Sequence, residues 1–193
     1  ARLQVQTVIR PRTEALHVDG RCAGRVASGG FSVGDAVQVQ PNERASRITG
    51  IERFGQPVAR GEAGDSVTVQ LADDIDISRG CTLAPVGQAP VARKELRATL
   101  CWLDHTPLEN GKTYLLQHGV NRVRGKVAQI TAVIDVITQQ ASANPAQLKL
   151  NEIGEAVLRL AQPIYADVYA DNPANGAFIL IDEWSNTTAG VGF

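Results

Sequence analysis

Apolar and polar side chains alternate along most of this chain, the period of a strand with one buried face. The alternation runs through residues 3–9, 36–40, 66–71 and 96–102. It returns through residues 113–118, 124–138, 156–160, 164–169 and 177–182. These runs favour Val, Ile, Leu and Thr, side chains that pack on a pleated, half-buried surface. Turn residues separate them, among them Ser28-Gly29-Gly30, Val33-Gly34-Asp35, Glu109-Asn110-Gly111 and Asn175-Gly176. Helical spacing is almost absent. Many short strands at this spacing predict an all-β fold built as β-barrels, since closure removes the open edges that invite aggregation.

The pattern breaks at residues 84–90, where Pro85, Gly87 and Pro90 replace the alternation. Such a stretch reads as a linker. It divides the chain into a first β-barrel over residues 1–89 and a second over residues 90–193, each long enough for a core of its own. No internal repeat relates the two halves. Residues 142–149 form the other non-strand stretch, read as a loop or a single helical turn inside the second barrel.

Composition narrows the function classes. The 193 residues are 44% hydrophobic and 20% charged, ordinary values for a soluble globular chain. Ten basic and ten acidic residues precede Pro90, and nine basic and ten acidic follow it. Neither half has the positive field of a nucleic-acid binder. No apolar run approaches the roughly 20 residues of a membrane span, so the expected setting is cytoplasmic, with no membrane partner.

Cys22, Cys81 and Cys101 form no C-x-x-C pair, and reduced, mostly buried thiols are expected. His17, His105 and His118 match no metal-ligand spacing. A hairpin that brought His105 to His118 is the one pairing left open, beside ordinary surface or core roles. The chain contains no methionine, which fits a piece of a longer polypeptide.

Residues 71–80 concentrate three carboxylates, a serine and an arginine directly after a strand pattern. Ile75 and Ile77 alternate with Asp74, Asp76 and Ser78, so the segment reads as a turn pinned to a core with its charges outward. On local grounds a solvated turn closed by Gly80 and a functional role for its charges both stay open. A calcium loop needs further oxygen ligands and a glycine at the right step, and these are missing.

Arg122, Arg124 and Lys126 fall on one face of a predicted strand, as a solvated face or as a contact to phosphate or an acidic partner. No aromatic residue interleaves with them, which disfavours a base-stacking surface. Gly111-Lys112-Thr113 mimics the end of a phosphate-binding loop, but Thr106 stands where the first glycine belongs and Pro107 lies inside the loop. Asn110-Gly111 therefore predicts a hairpin turn. No nucleophile elbow, zinc-protease pair or dinucleotide fingerprint occurs, so no catalytic, cofactor-binding or metal residue is assigned.

Several separated stretches share a resemblance. Residues 18–39 have the form G-x-V-x-S-G-x-x-x-x-G-D and resemble the second domain of elongation-factor-Tu-like GTPases. Four further motifs occur in order: Arg10-Pro11, residues 75–80, residues 150–154, and residues 175–182 with the closing residues 187–192. Together they resemble the large, GTPase subunit of bacterial sulfate adenylyltransferase across essentially the whole chain. Two departures stand out: residues 12–21 are longer than usual, and Cys22 occupies a position where the family tends to have an aromatic residue.

The resemblance implies two barrels, the second and third domains of such a GTPase. It implies a parent enzyme that forms adenosine 5′-phosphosulfate from ATP and sulfate on a separate small catalytic subunit, GTP hydrolysis on the large subunit offsetting the unfavourable equilibrium. GTP and magnesium would be held in an N-terminal GTPase domain whose motifs are absent here, so these residues alone are expected to be non-catalytic and to take no cofactor. Some relatives continue into an adenylylsulfate kinase. The partners implied are the small catalytic subunit and the GTPase domain. Asp74, Asp76, Ser78 and Arg79 would lie on the first barrel's interaction surface, and Arg122, Arg124 and Lys126 on the second's. The alternative is a translation-factor-like RNA- or protein-binding module.

Overall fold

A computed structural model describes residues 1–9 and 21–193. The expectations for Arg10-Pro11, His17 and the long segment after them lie outside the described residues. The chain divides into two compact units, Ala1–Val91 and Ala92–Phe193.

The first unit contains β1 (Arg2–Ile9), β2 (Arg21–Ser28), β3 (Gly30–Ser32), β4 (Ala36–Gln40) and β5 (Arg44–Arg53). It continues with β6 (Gln56–Pro57), β7 (Arg60–Glu62), β8 (Ser66–Leu71) and β9 (Thr82–Pro85). Pairing runs β4-β9-β1-β2-β8-β5, and β5 pairs with β4 again, so six strands close a barrel. The inward residues Leu3, Val5, Val39, Ile51, Val69 and Leu83 fill its core. Cys22 is buried there too, and burial, with a smaller contribution from Cys81, pushes its thiol up to about 12. It is a protonated, inert core residue at neutral pH.

The second unit contains β10 (Arg93–Trp102), β11 (Leu108–Glu109), β12 (Thr113–His118), β13 (Asn121–Ile134), β14 (Ala141–Ala143) and β15 (Gln147–Leu148). β16 (Ile153–Ile164), a single-turn α1 (Pro173–Gly176), β17 (Phe178–Ile181) and β18 (Thr188–Gly192) complete it. The ring β12-β17-β18-β10-β16-β13 closes on β12, again six strands around one core. The all-β, two-barrel expectation is met.

Local expectations fare unevenly. Residues 84–85 belong to β9 rather than to a linker, because Pro85 stands at the strand end, where a missing N–H costs least. Residues 142–149, read as a loop or a single helical turn, hold the end of β14 and all of β15, with a loop between them over 144–146 and no helical turn. Residues 164–169 are not a strand beyond Ile164, since Asn175 takes the backbone there: its Nδ2 donates to the Tyr165 carbonyl at 3.0 Å and its carbonyl accepts from Asp167 N at 3.1 Å.

His118 ends β12 fully enclosed, its Nε2 donating to the Asn175 carbonyl at 2.9 Å. Its Nδ1 has no partner among the described residues. Exposed His105 sits in the β10–β11 connection, so the two histidines have separate, ordinary roles. Burial holds the His118 pKa below 6.5, against smaller upward pulls from Asn175 and Asp167. The folded state therefore keeps the ring neutral while the unfolded chain takes up a proton below pH 6.5. The stability this group contributes is present above pH 6.5 and is lost as pH falls through the lowered folded value. Urea midpoints of the second unit are expected to fall more steeply between pH 7 and pH 5 in the native chain than in His118→Gln, whose amide still donates to Asn175. Parallel profiles would show that His118 does not titrate with unfolding.

Candidate interaction surfaces

The acidic segment leaves β8 at Leu71 and returns at β9. Ile75 and Ile77 are buried in the first core beside Cys81, as the alternation requires. Polar bonds hold the rest. Ser46 Oγ donates to Asp73 Oδ2 at 2.7 Å and accepts from Asp73 N at 3.2 Å. Asn42 Nδ2 donates to the Asp76 carbonyl at 2.8 Å, and Gly80 N to the Val5 carbonyl at 2.9 Å. Gly80 has φ +98°, a left-handed conformation that only glycine takes without strain.

This anchored loop carries Asp74, Asp76 and Ser78 exposed on its outer side. Asp73 is tied to Ser46, leaving Asp74 and Asp76 as a pair of solvent-facing carboxylates. Arg79 is exposed, but its Nη1 donates to the Gln6 carbonyl at 2.9 Å, so it also staples the loop to β1. Among the described residues, no three His, Cys, Asp or Glu side chains gather as a metal-binding group.

On the second unit, Arg122, Arg124 and Lys126 alternate along β13 with buried Val123, Gly125 and Val127. Their outer row is structured by neighbours: Arg122 Nε donates to Gln117 Oε1 at 2.8 Å, and Arg124 Nε meets Glu183 Oε1 at 2.7 Å. Lys126 lies opposite Thr113 of β12 and Arg159 of β16. Arg159 in turn reaches Glu95 at 3.4 Å. Gly111-Lys112-Thr113 is a hairpin turn, with Gly111 at φ +86° and Lys112 on Glu109 at 3.2 Å.

Pattern reasoning missed the most exposed aromatics, Trp184 at 96% and Phe54 at 92%. Each interrupts a polar turn, and that interruption is the signal by which they were findable. A groove of about 580 Å³ in the second unit also went unread; Arg93, Arg97, Ala98, Tyr169, Phe178 and Phe193 are among its lining.

Two closed six-stranded barrels, each around its own core, define the class of fold. The chain belongs to the GTP-eEF1A C-terminal domain-like family, which it matches over residues 95–193. Residues 22–84 match the family described as Elongation factor Tu domain 2. The chain is 42% identical to the "Bifunctional enzyme CysN/CysC" of Mycobacterium tuberculosis, over 99% of this chain and 31% of that protein. It is 37% identical to "Sulfate adenylyltransferase subunit 1" of Colwellia psychrerythraea, over 99% of this chain and 40% of that protein. The chain thus spans only a third to two fifths of the length of these relatives. Among solved structures, Sup35 complexed with GMPPNP superposes with a TM-score of 0.84 at 18% identity, over 99% of this chain and 46% of that one, a likeness of fold.

Proposed function

We propose that this chain is the two-barrel portion of the GTPase subunit of a sulfate adenylyltransferase. In this reading it docks the small catalytic subunit and couples GTP hydrolysis, on a domain outside these residues, to adenosine 5′-phosphosulfate synthesis in sulfate assimilation. The observation that carries it is 37% identity to a "Sulfate adenylyltransferase subunit 1" and 42% to a "Bifunctional enzyme CysN/CysC", each extending across 99% of the chain rather than one barrel.

Gly111-Lys112-Thr113, the one mimic of a phosphate-binding loop, is a hairpin turn and offers no phosphate cradle. Their contribution is positioning. Asp74, Asp76, Ser78 and Arg79 form a contact patch on the first barrel, and Arg122, Arg124 and Lys126 form one on the second. The anchoring of the acidic loop supports this role, since a pre-set loop loses little conformational freedom when a partner covers it.

Charge reversal tests it in the full-length large subunit with its small subunit. Asp76→Lys and Arg79→Glu are each expected to weaken association, or GTP-coupled turnover, about tenfold while the barrel stays folded. Arg79→Glu also loses its staple to Gln6, so Asp76→Lys is the cleaner variant. Unchanged association and unchanged coupled turnover in both would sink the assignment of this loop.

A further inference from the structure

Trp184 stands at the tip of the β17–β18 hairpin with 96% of its surface in water. An indole so placed forgoes the burial that makes tryptophan the most valuable interface side chain. The tip is not loose. Asp182 Oδ1 accepts from Trp184 N at 2.9 Å, Ser185 N at 2.8 Å and Ser185 Oγ at 3.1 Å. Asn186 N donates to the Asp182 carbonyl at 2.9 Å, and Asp182 N to the Thr187 carbonyl at 3.0 Å. The backbone under the indole is fixed before any partner arrives.

The residue before it, Glu183, joins the tip to the basic row by its 2.7 Å pair with Arg124. The strand register agrees. Leu115 of β12 faces Ile181 on one side and Arg124 on the other, so the tip leaves the sheet at the level of that row. Four cations, Arg122, Arg124, Lys126 and Arg159, then meet three carboxylates, Glu183, Glu95 and Asp182, the last bonded to the tip's own N–H groups. Lys126 has no ion pair among the described residues. The strip beside the indole therefore carries an excess of positive charge.

We propose that Trp184 is the anchor of a protein-docking surface whose occupant presents an apolar socket edged by carboxylates, the socket taking the indole and the carboxylates meeting Lys126 and Arg122. The inference rests on the reading that the second barrel docks the small subunit, and gives that subunit's side its chemistry. A protein fits better than a nucleic acid, because no aromatic residue interleaves with Arg122, Arg124 and Lys126 and a single indole gives no run of stacking platforms along the row. Sequence position alone did not mark the site; the combination of a fixed tip, an exposed indole and an unbalanced basic row does.

The test uses full-length large subunit and purified small subunit, with affinity measured by calorimetry at two salt concentrations. Trp184→Ala is expected to weaken binding about 30-fold, and Trp184→Phe to restore most of it. Lys126→Glu is expected to weaken binding about tenfold at low salt and less at high salt. Hydrogen exchange at residues 182–187 should slow in the complex. Wild-type binding with Trp184→Ala and Lys126→Glu both unaffected would overturn the inference and leave the proposed function standing. No binding by the wild-type pair would overturn both. Binding of a uridine decamer that Trp184→Ala abolishes would overturn it in favour of RNA.

Discussion

Trp102→Ala is expected to remove about 4 kcal/mol from the second barrel, the largest loss available to one side chain there. Trp102 is fully buried near the end of β10, and its Nε1 donates to the Thr106 carbonyl at 2.8 Å. Tyr114 of β12 meets the indole edge to face, centroids 5.3 Å apart at 78°. β18 passes directly over the ring, since a Cβ on Gly190 would come within 2.9 Å of Trp102 Cε3. Alanine would leave a cavity bordered by three strands that their ladders hold in place, so the site collapses little. In a unit of this size the loss lowers the unfolding midpoint by roughly 20 °C. Trp102→Phe, which keeps most of the volume, should cost less than half as much. A far-UV circular dichroism melt of Trp102→Ala within a few degrees of the native chain would show that the indole is not the keystone of this core.

How much of this was legible beforehand varies with what each segment packs against. Residues 66–71 and 113–118 read correctly to the residue as β8 and β12, because each shows one buried and one wet face. β5 went unread, although it pairs with both β4 and β8. Its core-facing Ser46 is polar, and only the distant Asp73 makes that position tolerable, so the binary pattern is broken by a partner 27 residues away. Residues 164–169 failed for the complementary reason. They alternate like a strand, yet Asn175 satisfies their backbone in place of a neighbouring strand.

The candidate surfaces divide in the same way. Ile75 and Ile77 gave away the pinned acidic loop, since two isoleucines among carboxylates have few other uses. That Arg79 bonds across to Gln6 was not legible, because β1 lies 73 residues earlier in the chain. The row Arg122, Arg124 and Lys126 follows from strand period alone. Its tie to Trp184 through Glu183 needs the barrel closure that brings β17 beside β12. Gly154 in the 150–154 motif stands where two strands come too close for a side chain: a Cβ there would lie 2.5 Å from the Ala132 carbonyl oxygen.

The same physics makes Gly24→Ala a large expected loss in the first barrel. Gly24 sits in β2 between Val5 of β1 and Val67 of β8. An added Cβ would stand 2.2 Å from the Gln4 carbonyl oxygen and 3.1 Å from Leu3 Cδ2. The oxygen is backbone, and Gln4 is paired on its other side with Thr82 of β9, so β1 has nowhere to retreat. Forcing the strands apart breaks ladder bonds near the middle of a closed ring, at an expected cost of about 3 kcal/mol. Gly50→Ala in β5 is the control. Its Cβ would meet only the Gln70 side chain, at an ordinary 3.4 Å, and removing a strand glycine should be neutral or stabilising by about 0.5 kcal/mol. Both tryptophans, Trp102 and Trp184, lie in the second unit, so their emission does not report on this change. Hydrogen exchange in β1, β2 and β8 does, and Gly24→Ala should lose protection there while Gly50→Ala keeps it. Equal protection in the two variants would mean that β1 and β2 yield to the methyl group, and that the close approach is not what holds glycine at this position.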